Sequence, residues 1–168
     1  MITKFLTITA AASLFAGVAM ADQTEINRSI TDVAAGADRH DWDRVRSAFS
    51  ETVTTDYTGL WGGEPVTQSA DELVASWSGF LPGFDTTHHM VTNHTVTELD
   101  GSKAKAEADF TATHRIDDKQ WTLGGRYSYE LVQSGGRWLI TFLKMMPLWE
   151  TGDRGLVSTA GERAAQKN

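Results

Sequence analysis

The stretch Ala104-Lys105-Ala106-Glu107-Ala108-Asp109-Phe110-Thr111-Ala112-Thr113-His114-Arg115-Ile116 alternates between apolar and polar residues almost without fault. Side chains along a strand point to opposite faces in turn, so one face of this strand is apolar and the other polar. His114 falls in the apolar row, among alanines and Phe110. An imidazole in a row of small side chains has open space in front of it, as in the wall of a small-molecule cavity. A buried polar group needs a partner, so His114 is expected to meet one inside the fold.

The same period of two runs on either side. Residues 88–99, 104–116, 121–132 and 138–148 are predicted strands, joined at Asp100-Gly101, Asp117-Asp118 and Ser134-Gly135-Gly136. Short connections make them an antiparallel meander. Upstream the period is helical: Ile26, Ile30, Val33, Ala34 and Ala37 predict an amphipathic helix over 24–39. Asp41 is a candidate N-cap for a second helix carrying Trp42, Val45 and Phe49. A short strand at 53–57 and a loop at 59–65 follow. Ser69-Ala70-Asp71-Glu72 then reads as a capping box opening a third helix with Leu73, Val74, Trp77, Phe80 and Leu81, stopped by Pro82-Gly83. Helices followed by a meander define an α+β domain with the helices packed on one face of the sheet.

Residues 1–21 read as an export signal: Lys4, an apolar stretch, then Ala19-Met20-Ala21 as a small-x-small cleavage site. The expected organisation is a signal peptide at 1–21, one domain at 22–150 and a polar tail at 151–168, a frayed helix or a flap over the sheet. The expected location is the periplasm or the medium; with no cysteine there is neither a lipid-anchor motif nor a disulfide. The net charge of −7, without a Lys/Arg run, argues against nucleic acid and anionic membrane as partners. Six Trp, seven Phe and three Tyr are generous for 168 residues and point to a small apolar ligand.

The candidate chemical residues are Asp38, Tyr57, His88, His89, Asn93, His114 and Tyr127. Asp38 lies at the edge of the first helix's apolar arc, where a carboxylate could orient a histidine and raise its basicity. It could equally bond nearby backbone, Arg39 or Arg44. His89 shares a strand face with Val91 and Asn93, and His88 shares the other with Met90 and His94; alternation does not choose between them, and a bulge would change the answer. On the third long strand Trp121, Leu123, Gly125, Tyr127, Tyr129 and Leu131 share a row. There Gly125 would open space in the wall and Tyr127 could offer a hydroxyl into it, or simply pack as a half-buried aromatic. The histidines at 88, 89 and 94 lack metal-ligand spacing, so no metal is expected, and neither a nucleophile elbow nor a phosphate loop is present.

The order and spacing of these segments resemble the SnoaL-like branch of the nuclear-transport-factor-2-like superfamily, and within it the scytalone dehydratases. The segments that carry the resemblance are Ala37-Asp38-Arg39-His40-Asp41-Trp42-Asp43-Arg44-Val45-Arg46, Thr55-Asp56-Tyr57, Thr87-His88-His89-Met90-Val91, Thr113-His114-Arg115 and Gly136-Arg137-Trp138. The resemblance implies a conical α+β barrel, with three helices against a curved sheet and a pocket inside, working without cofactor or metal. It implies that Asp38 pairs with His114, with His89 across the pocket and Tyr57 on the substrate side. It also implies a homodimer or homotrimer. The chain departs from those dehydratases at Ala37, where they carry a tyrosine, and at Gly125 and Tyr127, where they carry serine and asparagine.

The reading that results is an exported lyase or isomerase for a small, mostly apolar, oxygenated ring compound. Asp38, His114, His89 and Tyr57 are its expected catalytic residues, and Tyr127, Asn93, Trp61 and Trp77 its expected substrate contacts. The alternatives are a non-catalytic binding module and a dimerisation module of the same fold.

Overall fold

The computed structural model describes residues 6–166, with side chains from residue 20 onward. Most of the expected export signal therefore lies outside the described side chains. The elements run α1 (Leu6–Arg39), α2 (Trp42–Ser47), β1 (Phe49–Asp56), α3 (Thr58–Trp61), β2 (Val66–Ser69), α4 (Ala70–Ser78), β3 (Thr86–Asp100), β4 (Lys103–Ile116), β5 (Lys119–Ser134), β6 (Arg137–Gly152) and α5 (Leu156–Ala165). The backbone of α1 continues unbroken through the predicted cleavage point at Ala21.

The strands form one six-stranded sheet in the order β2-β1-β6-β5-β4-β3. β3 to β6 are the expected antiparallel meander. β1 adds to it in parallel beside β6, a non-local pairing that local patterning does not reveal, and β2 closes that edge antiparallel to β1. The 59–65 segment, expected as loop, begins inside the short helix α3, and the edge strand β2 follows it.

Local chemistry accounts for the helix ends. His40 takes a left-handed conformation with φ of 54° directly after α1, and the Asp41 carboxylate then caps α2 by accepting from Arg44 N–H. The predicted capping box is present at α4: Ser69 accepts from Glu72 N–H, and the Glu72 carboxylate accepts from Ser69 N–H. The apolar row of β4 is buried from Ala104 to Ile116, His114 included. It packs in one core with Ile26, Ile30 and Val33 of α1, Val45 of α2 and Leu73 of α4. Trp138 indole N–H donates to Asp22, tying α1 to the start of β6.

Residues 151–166 are structured. β6 extends to Gly152, and α5 buries Leu156, Ala160 and Ala164 against the turn at Leu81–Gly83 and the ends of β4 and β5. A methyl group at Gly83 would lie 2.0 Å from the Ala160 carbonyl oxygen, so only glycine permits this approach.

Candidate active site

The helices and the inner face of the sheet enclose a cavity of about 610 Å³. Its walls include Tyr57, Trp61, Trp77, His89, His114 and Tyr127, and neither Lys nor Arg lines it.

Asp38 occupies the last turn of α1, which packs over β3. A carboxylate at a helix C-terminus faces the negative end of the macrodipole, an unfavourable place unless donors hold it there. Donors do. His89 Nδ1 lies 2.6 Å from Asp38 Oδ1, His89 backbone N–H donates to Oδ2 at 2.7 Å, and Thr87 Oγ1 donates to Oδ1 at 2.9 Å. Burial pushes the Asp38 pKa up, but the hydrogen bonds and charge from His89, helped by Thr87, outweigh it and hold the carboxyl below its ordinary value. An ionised Asp38 fixes the proton of His89 on Nδ1 and leaves Nε2 as the basic nitrogen.

The expected pairing of Asp38 with His114 is therefore corrected: the partner is His89. The physical reason is topological. Asp38 sits over Thr87 and His89 on the edge strand β3, whereas His114 lies one strand further in, opposite Thr87 in the β3–β4 ladder. The choice left open between His88 and His89 is also resolved, since His88 is exposed and His89 lines the cavity.

His114 stands beside the dyad, its ring 5.2 Å from that of His89 and nearly perpendicular to it. Trp121 stacks on it at 4.9 Å, and Phe84 lies at the same distance. Burial in this aromatic box, with the charge of His89, depresses its pKa to about 4, so the imidazole is neutral near pH 7. Its Nδ1 is buried without a hydrogen-bond partner.

The remaining expected contacts divide. Tyr57, Tyr127 and Trp77 line the cavity, the last edge-on to Phe49 at 5.9 Å. Trp61 is an exposed part of the wall, with the Arg154 guanidinium 5.2 Å over its ring. Asn93 does not reach the cavity. It adopts φ of 55° where the β3–β4 register slips, and this bulge turns its side chain outward onto Asp109 Oδ2 at 2.7 Å. Gly125 opens no space in the wall either. A Cβ there would lie 2.1 Å from the Met146 carbonyl oxygen, so the glycine admits a close backbone approach at the β5–β6 bulge.

Sequence reasoning did not single out Thr87, Tyr129 or Val157. Thr87 sits two residues before His89 on the same face, and Tyr129 two residues after Tyr127, so strand period alone could have nominated both. Val157 reaches the cavity from α5, which no strand or helix period upstream foretells. Among the described residues no group of three His, Asp or Glu side chains is placed to hold a metal ion, and no helix is long and apolar enough to cross a membrane.

A helical layer on a curved, mostly antiparallel sheet, enclosing an apolar cavity, is the nuclear-transport-factor-2-like fold. The chain belongs to the SnoaL-like domain family, whose model matches residues 18–144. A solved structure of the Kfla4162 protein from Kribbella flavida shares 25% identity at a TM-score of 0.76, over 83% of this chain and 99% of that one. A Novosphingobium aromaticivorans protein named as a candidate scytalone dehydratase shares 18% identity at a TM-score of 0.71, over 83% and 92%. Hexachlorocyclohexane dehydrochlorinase LinA-type3 from Novosphingobium barchaimii LL02 shares 18% identity at a TM-score of 0.66, over 81% and 92%. No curated protein sequence matches the chain.

Proposed function

We propose that this protein is a lyase or isomerase that removes a proton next to the carbonyl of a small, neutral, largely apolar compound. The observation that carries the reading is the Asp38–His89 hydrogen bond at 2.6 Å on the wall of an apolar cavity, with the neutral ring of His114 beside it. His89 Nε2 takes the proton from the α carbon, and the electron pair of that C–H bond moves onto the carbonyl oxygen. His114 donates a hydrogen bond to that oxygen; as a neutral imidazole it polarises the carbonyl without protonating it outright. The enolate then collapses by expelling a β substituent, which departs with the proton from His89 when it is a hydroxyl, or by reprotonation at another carbon. The first outcome is elimination and the second isomerisation. Every step uses this chain's own groups.

Two relatives carry names of elimination enzymes, a dehydrochlorinase and a candidate dehydratase, which supports this class of chemistry. The cavity supports the substrate class, since its lining contains no Lys, Arg, Asp or Glu. The general base passes from His114 in the sequence reading to His89 here. General acid–base catalysis of this kind supplies about 10²- to 10⁴-fold.

The test is deuterium uptake from D₂O at the α carbon of small ring ketones, followed by NMR. The wild-type protein should catalyse uptake, and Asp38→Asn and His89→Gln should not. Uptake that is undiminished in both folded variants would sink the assignment. Export through residues 1–21 remains part of the proposal, and mass measurement of the secreted chain, expected to begin at Asp22, tests it. The exposed Leu148 and Trp149 on β6 support self-association as well, measurable by light scattering.

A further inference from the structure

All three tyrosines of the chain, Tyr57, Tyr127 and Tyr129, line the same cavity. Tyr127 and Tyr129 are more than nine-tenths buried, with 7% and 2% of their surface exposed. Their rings lie 5.8 Å apart on successive inward positions of β5, and Phe110 stacks on Tyr127 at 4.3 Å. None of the three phenolic hydroxyls has a hydrogen-bond partner among the described residues, yet none is enclosed by protein as His114 Nδ1 is. The hydroxyls open onto the cavity. A buried phenol normally finds a protein partner, and a pocket that leaves three of them without one turns them toward whatever enters.

The chemistry of the entrant follows from the surroundings. Burial raises all three pKa values, helped at Tyr127 by the other two phenols and Asp38 and at Tyr129 by Tyr57, so they are neutral donors and acceptors at any working pH. Among the described residues neither Lys nor Arg lines the cavity to balance an anionic ligand. The matching group is a neutral oxygen, a hydroxyl or carbonyl. Its distance from the dyad follows from the register. His89 lies opposite Ala112, while Tyr127 and Tyr129 lie opposite Ala108 and Ala106. At the strand rise those positions are about 13 and 20 Å further along β4, a span that the tyrosine side chains shorten.

Resting on the reading of the dyad as the reacting end, we propose that Tyr57, Tyr127 and Tyr129 form a distal oxygen site, so that the substrate is a neutral carbonyl compound with a second oxygen on the order of 10 Å from its reacting carbon. The unsubstituted end of a ligand lacking that oxygen would leave the phenols desolvated and unpaired. Selection arises from that penalty as much as from the bonds gained.

The test is calorimetric titration with two neutral probes, 4-(4-hydroxyphenyl)butan-2-one and 4-phenylbutan-2-one, which differ only in the distal hydroxyl. Wild-type protein should bind the hydroxylated ketone about tenfold more tightly. Tyr127→Phe and Tyr129→Phe should each reduce the preference, and the double variant should abolish it, binding the hydroxylated ketone more weakly and 4-phenylbutan-2-one more tightly than wild type because the desolvation penalty is gone. If the double variant does not fold, by circular dichroism, the single variants carry the same comparison. Asp38→Asn should keep the preference, so a failure of the proposed chemistry and a failure of this site give different results. Equal affinity for the two ketones, no binding of either, or a preference that survives in the folded Tyr→Phe variants overturns the proposal.

Discussion

His89 meets Asp38 twice: its ring Nδ1 lies 2.6 Å from one carboxylate oxygen and its backbone N–H donates to the other at 2.7 Å. The carboxylate thereby fixes both the ring and the strand that carries it. With Thr87 Oγ1, the Asp38 oxygens accept from three donors. An amide has one accepting oxygen and turns an NH₂ group toward the remaining donors, so Asp38→Asn leaves at least one of them unsatisfied. We expect the variant to fold, to lose about 1–3 kcal/mol of stability at pH 7, and to lose base catalysis. Urea denaturation checks the first two. Because the pKa of Asp38 is lowered in the fold, its stabilisation is complete above the ordinary value of 3.8 and fades as pH falls below it, so the gap between variant and wild type should close in strong acid.

His114 predicts a different pH dependence. Its pKa falls from 6.5 in the unfolded chain to about 4 in the fold. Between those values the unfolded state binds more protons, so stability rises with pH through this window and is lost as pH drops from 6.5 toward 4. The slope is at most about 1.4 kcal/mol per pH unit. His94, whose pKa burial also lowers, adds in the same direction. His114→Leu should flatten most of the slope, with His89 and Asp38 still facing the site. Denaturation midpoints at about pH 4.5, 5.5 and 6.5 read this out; an unchanged slope in the variant contradicts the assignment.

The meander, the helical layer and the inward row of β4 were legible because each rests on local periodicity, and burial follows it residue by residue from Ala104 to Ile116. The capping box at Ser69 and Glu72 was legible for the same reason. What was not legible depends on long-range geometry. The pairing of Asp38 with His89 rather than His114 is decided by which strand α1 crosses. The parallel pairing of β1 with β6 joins segments far apart in sequence. Gly125 looked like missing volume, yet its role lies in how closely the Met146 backbone approaches.

Asn93 marks the point where strand parity fails, and the failure is measurable. Beyond His89 and Val91 the inward row passes, after the bulge, to Val96, which pairs with Ala106. Asn93→Gly should be nearly neutral, because glycine accepts φ of 55° freely and only the bond to Asp109 is lost. Asn93→Val should cost about 1–2 kcal/mol, since a β-branched residue is strained there. Neither change should alter the affinity for 4-phenylbutan-2-one, as Asn93 lies outside the cavity. A loss of affinity in Asn93→Gly would return the residue to the site.

The docking of α5 rests on packing more than on charge. Gly83 lets the Leu81–Gly83 turn touch the Ala160 backbone, Arg163 pairs with Asp85 at 2.6 Å, and an Arg154 guanidinium N–H donates to the Leu60 carbonyl. Two of these contacts join exposed or half-exposed groups and contribute little on their own. The burial of Leu156 and Ala160 therefore dominates the docking, and it depends on an approach that any Cβ at position 83 would block. Gly83→Ala should accordingly loosen α5 without unfolding the sheet, at a cost of about 1–3 kcal/mol. Because Val157 lines the cavity, loosening should also open it. Hydrogen exchange should then accelerate across 156–165 while β4 and β5 keep their protection, and the off-rate of a bound ketone should rise. Arg163→Gln, which removes only the ion pair, should change neither. Uniform acceleration throughout the chain in Gly83→Ala would mean that α5 and the sheet unfold as one unit.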